Sequence, residues 1–378
     1  MGERREKLKS LLALNTIPGL GARRIRILLD HFKDPEEIFK CGRGDLLVIE
    51  GIGQASALSI LSFDRWDETE RVLDRLSSSG IKMMGLTDDD YPPLLKQIFD
   101  PPSLLWIRGS RSALSLPGIA VVGTREPSRY GKETTVSLGK ELSEAGMCIN
   151  SGLAYGIDTI AHHTALRCMG KTVAVLGSGI DRIYPGRNRF LVKQIVESGG
   201  AVITEFPPGT KPDAGNFPVR NRIVSGLSVG VLIVESGVQG GSMITAEQAL
   251  DQNREVFAVP HPLKNISGSG CNYLIKTGAA KLVQGVGDIL EEIPGYNKQN
   301  KMAGRKPSLS RKNQDWRKES LNGLQQQICE CLSEEQIQID HLAEKLELDT
   351  GKLLVSLLEL EMRDLVVQRA GKIFALRE

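Results

Sequence analysis

Ile119-Ala-Val-Val-Gly-Thr-Arg125 is the stretch of sequence that decides the fold. Its apolar residues run directly into Gly123 and Arg125, and a helical segment follows from about residue 131. A continuous apolar run is typical of a strand that is buried on both faces of a sheet. Gly123 permits a sharp turn with uncovered amides, and the next helix directs the positive end of its dipole at that turn. We therefore predict a strand, a turn and a helix that form an anion-binding corner, with Arg125 as its fixed cation.

Strand-like and helical segments alternate along the chain from residue 117 to residue 294. The strand-like runs are 119–122, 147–150, 173–176, 201–204, 229–234 and 256–259, and the helical segments lie near 131–145, 157–169, 188–198, 219–227 and 243–252. This alternation predicts an α/β fold with a Rossmann-like, doubly wound and mostly parallel sheet. In such sheets the ligand crevice lies at the carboxyl ends of the strands, where this sequence places its glycines, hydroxyls and arginines.

The composition is that of a soluble globular protein with two or three domains. The chain has 378 residues, of which 40% are hydrophobic and 25% are charged. A net charge of +2 excludes a strongly basic field over the whole protein, so any nucleic-acid surface must be local. No apolar run approaches the ~20 residues that span a bilayer, and the amino terminus lacks a secretory signal. Because the six cysteines form no CxxC pair, we expect a cytoplasmic protein with reduced thiols. Because no apolar run is long enough to span a bilayer, we expect no membrane contact.

Two similar segments lie near the amino terminus, namely Ile17-Pro-Gly-Leu-Gly21 and Ile49-Glu-Gly-Ile-Gly53, and each is followed by a helical run. They resemble tandem helix-hairpin-helix units, in which hairpin amides contact DNA phosphates without reading the sequence. This resemblance implies a secondary DNA contact, which would consist of Gly19, Gly21, Arg23 and Arg24. The alternative, a small helical bundle used for packing or for docking a partner, remains open because short glycine hairpins are weak signals.

The segment Phe217-Pro-Val-Arg-Asn-Arg222 is the most informative of the strand ends. Pro218 can begin a helix, which would place both arginines in the first turn and favour an anion there. Phe217 could then stack on a base, as aromatic residues do in proteins that bind single-stranded nucleic acid. In the alternative interpretation Phe217 belongs to the core, and the arginines pair with acids such as Asp158 or Glu235.

Two segments imitate nucleotide-binding motifs. The P-loop-like run 165–172 ends a helix and leads into a strand, whereas a true P-loop follows a strand and opens a helix. Gly177-Ser-Gly179 follows a strand, but Arg182 replaces the third glycine of a dinucleotide fingerprint. The histidines and serines show no spacing of metal ligands or of a catalytic triad. We therefore predict no cofactor, no metal and no catalytic residue.

Seven motifs, taken together and in order, resemble those of the DNA processing protein A family, also called DprA or Smf. They are VVGTR (121–125), SGLAYGID (151–158), GSGIDRIYP (177–185), FPVRNRIVSGL (217–227), GGSMITAEQA (240–249), REVFAVP (254–260) and GCNYLIKTGA (270–279). The resemblance implies a Rossmann-like domain that binds single-stranded DNA without sequence preference and forms a homodimer. It also implies that the protein protects incoming DNA and loads a RecA-type recombinase onto it during natural transformation.

The pocket of the resembled family carries over onto nine positions of this chain. They are Arg125, Ser151, Gly152, Phe217, Arg220, Asn221, Arg222, Gly241 and Ser242. In this interpretation the three arginines contact phosphates, the loop at Gly241 donates amides and Phe217 stacks on a base, so that binding weakens steeply with salt. The chain departs from the family at Ala214, which lies near a position that is basic in some members.

The carboxyl-terminal part is a polar segment followed by a helical domain. Lysines and arginines cluster between Lys298 and Lys318, which is typical of a flexible linker. From Gly323 the pattern is helix, turn, helix and a hairpin around Ala370-Gly371, which predicts a winged helix. Its second helix, 351–362, is poor in cations, so we favour protein contact or weak duplex binding over sequence reading.

These patterns divide the chain into five segments. They are a helical tandem helix-hairpin-helix (SAM-like) domain at 1–75, a connector with an edge strand at 76–116, the Rossmann-like domain at 117–294, the basic linker at 295–322 and the winged helix at 323–378.

Two other functions remain open. The run around Gly240 faintly resembles nucleotide phosphoribohydrolases of the lysine-decarboxylase-like group, with Glu247 as the catalytic acid. A sequence-specific regulator acting through the winged helix is the third hypothesis.

Overall fold

The computed structural model describes residues 2–293, 321–334, 336–346, 348–363, 365–369 and 373–376. The chain forms two compact units, which divide between residues 302 and 303. The predicted linker, apart from residues 321–322, and the predicted hairpin tip at Ala370-Gly371 lie outside the described residues.

A nine-stranded sheet forms the centre of the first unit. Its strands are β1 (Lys82–Gly85), β2 (Leu104–Gly109), β3 (Gly118–Val122), β4 (Cys148–Ser151), β5 (Thr172–Val175), β6 (Ala201–Thr204), β7 (Gly230–Ile233), β8 (Glu255–Ala258) and β9 (Lys281–Leu282). The spatial order is β1-β2-β6-β5-β4-β3-β7-β8-β9. Only the β1–β2 and β2–β6 pairs are antiparallel, so the predicted Rossmann-like, mostly parallel sheet is confirmed. The strand predicted within the connector 76–116 corresponds to β2, which does join this sheet, but β1 pairs with its outer side and forms the edge instead.

Fourteen helices are described in the first unit. They are α1 (Gly2–Thr16), α2 (Ala22–Phe32), α3 (Glu37–Lys40), α4 (Arg43–Leu47), α5 (Gln54–Leu61), α6 (Trp66–Ser79), α7 (Pro93–Gln97), α8 (Arg129–Glu144), α9 (Ile157–Arg167), α10 (Arg189–Glu197), α11 (Asn216–Gly226), α12 (Gly241–Asp251), α13 (Ser269–Lys276) and α14 (Val286–Leu290). Helices α8, α9 and α14 cover one face of the sheet. Helices α10 to α13 and the amino-terminal helices pack in the cluster on the other face.

Strand β3 lies in the interior of the sheet, between β4 and β7, as its apolar run predicts. Ile119 and Val121 pack in the core on one face of the sheet, whereas Ala120 and Val122 pack in the core on the other. All four side chains are buried, because successive residues of a strand point to opposite faces and both faces are covered by helices. The carboxyl end of β3, just before Gly123, therefore lies between the helices that cover the two faces of the sheet.

The two amino-terminal hairpins have the same backbone shape. Gly19 and Gly51 both adopt a positive φ, 78° and 84°, which a glycine reaches without strain. Arg24 donates to the carbonyl oxygens of both glycines, at 2.6 Å and 3.1 Å, and so ties the hairpins together. The helices of this region share a continuous hydrophobic core with the sheet. Among the described residues, no helix has the length and apolar character needed to span a membrane.

The second unit is a winged helix. Its elements are α15 (Gly323–Glu334), β10 (Ile337–Gln338), α16 (Ile339–Lys345), α17 (Thr350–Met362), β11 (Val366–Arg369) and β12 (Ile373–Leu376). The three strands form an antiparallel sheet in the order β10-β12-β11. Helix α17 exposes an apolar face of Leu354, Val355, Leu358 and Met362. The predicted helix, turn, helix and hairpin pattern is confirmed for the residues that the structure describes.

Candidate nucleic-acid interface

A cavity of about 390 Å³ opens at the carboxyl ends of β3, β4 and β7. Its walls come from the turn after β3, the loop between β4 and α9, helix α11 and the loop between β7 and α12. Seven of the nine predicted residues line this cavity, namely Arg125, Gly152, Phe217, Arg220, Asn221, Gly241 and Ser242. The structure thus brings together residues that lie more than 100 positions apart in the sequence.

Arg125 is an exposed cation of the cavity, and the half-buried Phe217 is the aromatic residue beside it. The guanidinium carbon of Arg125 lies 5.5 Å from the centre of the Phe217 ring, and Arg125 is exposed to solvent. Tyr184, which the sequence analysis did not single out, lies 5.9 Å from the same ring and is 43% exposed. Its only sequence signal was an aromatic residue in a loop that follows a strand end. Phe217 therefore has a partly exposed aromatic neighbour that does not itself line the cavity, and the two rings together can offer a stacking surface.

Arg220 lines the cavity but is only 5% exposed. It donates to the carbonyl oxygens of Gly152 and Val175, so most of its polar capacity is used inside the protein. Burial lowers the pKa of Arg220 to about 10, while the nearby Asp158 carboxylate opposes this shift. The side chain remains charged at neutral pH. A side chain at position 152 would collide with the Arg220 guanidinium, which explains why that position is a glycine.

Arg222 does not line the cavity, contrary to the sequence prediction. It is 7% exposed and forms ion pairs with Glu205 at 2.5 Å and with Asp100 at 3.0 Å. Residues two positions apart lie about 200° apart around a helix, so Arg220 and Arg222 cannot face the same ligand. Helix α11 also begins at Asn216, before Pro218, so these arginines lie beyond its first turn. The alternative of pairing with acids is correct for Arg222, although the acids are different ones.

Ser151 also lies outside the cavity. Its side chain is fully buried, and its Oγ donates to the carbonyl oxygen of Val121 at 2.7 Å. The neighbouring amide of Gly152 donates to the Asp158 carboxylate at 3.1 Å, as does the amide of Ala154 at 3.2 Å. These bonds shape the loop after β4 from within. Ser151 and the Gly152 amide therefore support the cavity wall and are not available to a ligand.

The amino terminus of α8 already has an anion from the protein itself. The Glu235 carboxylate accepts hydrogen bonds from the Ser128 amide at 3.0 Å and from the Ser128 Oγ at 2.9 Å. The predicted anion-binding corner therefore exists, but a buried side chain fills the place expected for a ligand at this helix. The amino terminus of α12 faces the cavity instead, with Gly241 and Ser242 as its first two residues. Their amides have no partner inside the helix.

The predicted secondary contact lies on the helical region and does not line the cavity. Arg24 joins the two hairpins, and Arg23 stacks over Phe99 with 4.7 Å between the guanidinium carbon and the ring centre. Both side chains are thus held in contacts within the protein. Gly21 is the residue that precedes α2, and Gly19 forms the left-handed turn before it.

The catalytic acid of the phosphoribohydrolase hypothesis does not belong to the cavity lining. Glu247, the acid of the alternative hypothesis, is exposed on α12 and does not line the cavity. In the described ranges, no three His, Cys, Asp or Glu side chains come together in a way that could hold a metal ion. The six cysteines are free thiols, and burial raises the pKa of Cys148 and Cys271 to about 12.

Models of known protein families match parts of both units of the chain. The model of the DNA recombination-mediator protein A family matches residues 82–294, and that of the DprA winged helix domain matches residues 315–372. Protein Smf of Synechocystis is 38% identical over 272 residues, which is 71% of this chain and 68% of the relative. DNA processing protein DprA of Bacillus subtilis is 42% identical over 230 residues, which is 61% of this chain and 77% of the relative.

Two solved structures have the same fold over most of their length. DNA processing protein A of Streptococcus pneumoniae has a TM-score of 0.65 at 33% identity, covering 76% of this chain and 98% of that chain. DNA processing protein A of Helicobacter pylori, reported for its single-stranded DNA binding mode, has a TM-score of 0.51 at 29% identity, covering 60% of this chain and 98% of that chain. The chain therefore belongs to the DNA recombination-mediator protein A family, which includes the DprA and Smf proteins.

Proposed function

We propose that this protein binds single-stranded DNA in the cavity at the carboxyl ends of the strands, without preference for sequence. The observation that carries this proposal is the exposed Arg125 beside the Phe217 ring, in a cavity that the α12 amino terminus also lines. The guanidinium and the helix amides suit a phosphate, and the ring suits a base of any identity. A cavity of about 390 Å³ suits a small ligand such as one nucleotide unit of a strand.

A second groove adjoins the cavity across Arg125 and gives the strand a path out of it. The groove has a volume of about 760 Å³ and is lined by Lys132, Tyr155 and Arg187 as well as Arg125. Lys132 and Arg187 are exposed, and Tyr155 is 41% exposed. Three cations, one exposed carboxylate (Glu126) and an exposed ring lie along this surface. The excess of positive charge and the ring match the pattern of single-strand binders, which follow the backbone with charge and stack the bases.

We further propose that the strand is held for a RecA-type recombinase, which the protein loads while protecting the DNA. Family membership supports the role of recombination mediator. Homodimerisation through the Rossmann-like domain is part of the same proposal. Sedimentation of the purified protein tests the dimer, and assembly of recombinase filaments on DNA coated with single-strand binding protein tests the loading. The phosphoribohydrolase alternative is not favoured, because Glu247 does not line the cavity.

Fluorescence anisotropy with labelled oligo-dT, a mixed-sequence single strand and a duplex of equal length tests the binding itself. We expect similar affinity for both single strands and weaker affinity for the duplex. Arg125→Ala should weaken binding about 10- to 150-fold, which corresponds to about 1.5–3 kcal/mol for a charged hydrogen bond. Arg167→Ala is the matched control, since Arg167 is exposed at the far end of α9. No binding of oligo-dT at low salt would refute the proposal.

The length of the oligonucleotide tests the second groove. Lys132→Gln with Tyr155→Leu should weaken binding of a strand of about 16 nucleotides and leave that of about 4 nucleotides nearly unchanged. Lys140→Gln is the control for charge, because Lys140 is exposed on the same helix outside the groove. Tyr155→Phe, which keeps the ring, should bind like the wild type. Equal loss for both lengths would contradict a strand that runs from the cavity into the groove.

A further inference from the structure

Glu235 is a fully buried carboxylate at the end of β7, and its described hydrogen-bond donors are all neutral. Its Oε2 accepts from the amide and the hydroxyl of Ser128, and its Oε1 accepts from the Ser267 hydroxyl. A buried carboxylate is costly unless donors or positive dipoles compensate it. Here the amino terminus of the 16-residue helix α8 supplies the dipole, because Ser128 is the capping residue of that helix. A buried carboxylate with these donors indicates a role for Glu235 other than packing.

The same residue fastens both ends of the segment that carries Arg125. The Glu235 carbonyl oxygen accepts the amide of Thr124 at 2.7 Å, just before Arg125. The Glu235 carboxylate holds Ser128, three residues after Arg125. Gly131 packs against the carboxylate, and a side chain there would collide with it. The five-residue turn 124–128 is therefore attached to Glu235 at both of its ends.

We propose that Glu235 is a positioning residue, which holds the turn 124–128 so that Arg125 points into the cavity. The expected effect of Glu235 on DNA binding rests on the proposed function. The attachment of the turn 124–128 to Glu235 does not depend on that function. An arginine on a free turn would sample many orientations, and ordering it on binding would reduce affinity. A turn that is fixed in advance removes that cost. Glu235 would thus act on the ligand only through Arg125.

Hydrogen exchange tests the attachment without any DNA. Glu235→Ala should increase amide exchange in a peptide that covers residues 123–131 and leave a peptide from β5 unchanged. Glu235→Gln should exchange like the wild type, because its amide oxygen can accept from Ser128 and its nitrogen can donate to Ser267. Unchanged exchange in Glu235→Ala would overturn the proposal. If Glu235→Ala exchanges faster but the wild-type protein does not bind oligo-dT, the proposed function is refuted and the attachment still stands.

A double-mutant cycle tests whether Glu235 acts through Arg125. Glu235→Ala should weaken oligo-dT binding about tenfold, the lower end for one charged hydrogen bond. In the Arg125→Ala background the same change should have almost no further effect, since the residue that it positions is absent. An equal tenfold loss in both backgrounds would show a general defect and overturn the proposal.

Two serine variants provide the measurement if Glu235→Ala does not fold. Ser128→Ala and Ser267→Ala each remove one hydroxyl donor from the same carboxylate, but only Ser128 belongs to the turn that carries Arg125. Ser128→Ala should weaken oligo-dT binding severalfold and speed exchange in residues 123–131, whereas Ser267→Ala should do neither. The reverse order, or equal effects, would contradict the role that we assign to Glu235.

Discussion

Replacing Arg222 with alanine tests whether this arginine stabilises the fold or contacts DNA. The Arg222 side chain is 8% exposed and that of its partner Glu205 is 16% exposed, so the substitution leaves a nearly buried carboxylate without its cation. Breaking a buried pair costs about 3–5 kcal/mol, and the partial exposure of Asp100, the other partner, favours the lower end. At about 2–4 °C per kcal/mol for a domain of this class, a loss of about 3 kcal/mol should lower Tm by roughly 6–12 °C.

The loss of stability should depend on pH in a defined direction. Burial raises the pKa of Glu205, and Arg222 opposes this shift in the wild type. Removing Arg222 raises that pKa further, so the folded variant holds its proton to a higher pH than the unfolded chain does. Stability is then greatest below the unfolded pKa and is lost as the pH rises through the folded pKa. The difference in Tm between wild type and Arg222→Ala should therefore be larger at pH 8 than at pH 5.

Differential scanning calorimetry measures the loss, and oligo-dT titration of the folded variant measures binding. We expect the Kd of Arg222→Ala to stay within about threefold of the wild type, well below the 10-fold or greater loss for one charged contact. Replacing both Arg222 and Glu205 with methionine should recover much of the lost stability, because well-packed apolar residues can substitute for a buried pair. An unchanged Tm together with a loss of binding as large as that of Arg125→Ala would refute this reasoning.

Three other substitutions test further parts of the site and fold. Phe217→Leu should weaken oligo-dT binding about 5- to 150-fold, since stacking contributes about 1–3 kcal/mol per base, and an unchanged Kd in an anisotropy titration would exclude the stacking role. Ser151→Ala should lower the free energy of unfolding by about 1 kcal/mol in a urea titration, through loss of its buried hydrogen bond, and should leave Kd unchanged. Arg24→Ala should cost about 0.5–1.5 kcal/mol per lost bond in the same titration; loss of DNA affinity without loss of stability would restore Arg24 as a DNA contact.

The central sheet could be predicted because its signals are local. The apolar run at β3 and the glycine that follows it need only neighbouring residues to be interpreted, and the structure places both as expected. Strands β1 and β9 gave no comparable signal. Strand β1 lies in a connector that is rich in prolines, and β9 is only two residues long, so each is defined by its pairing partner and not by its own sequence.

The side-chain roles were less predictable because they depend on contacts between distant residues. Nothing near Ser128 shows that Glu235, 107 positions later, fills the amino terminus of α8. The helical period alone would have shown that Arg220 and Arg222 point in different directions. The partner of Arg222, in contrast, required the fold, because Glu205 and Asp100 come from two other loops. A motif therefore identified the region of the cavity more reliably than the role of each residue in it.

The placement of the arginines limits how strongly the cavity can bind by charge alone. Arg222 is paired and Arg220 is used by backbone carbonyls, so Arg125 is the predicted phosphate contact that remains exposed. One such contact gives a slope of only about −0.7 in a plot of log K against log salt for a single strand. Including the exposed Lys132 and Arg187 of the second groove gives three contacts and a slope of about −2 for each protein chain. A measured slope near −0.7 would show that the strand contacts the protein only in the cavity. A slope near −2, which becomes less steep by about 0.7 in Arg125→Ala, would show that the strand also contacts the second groove.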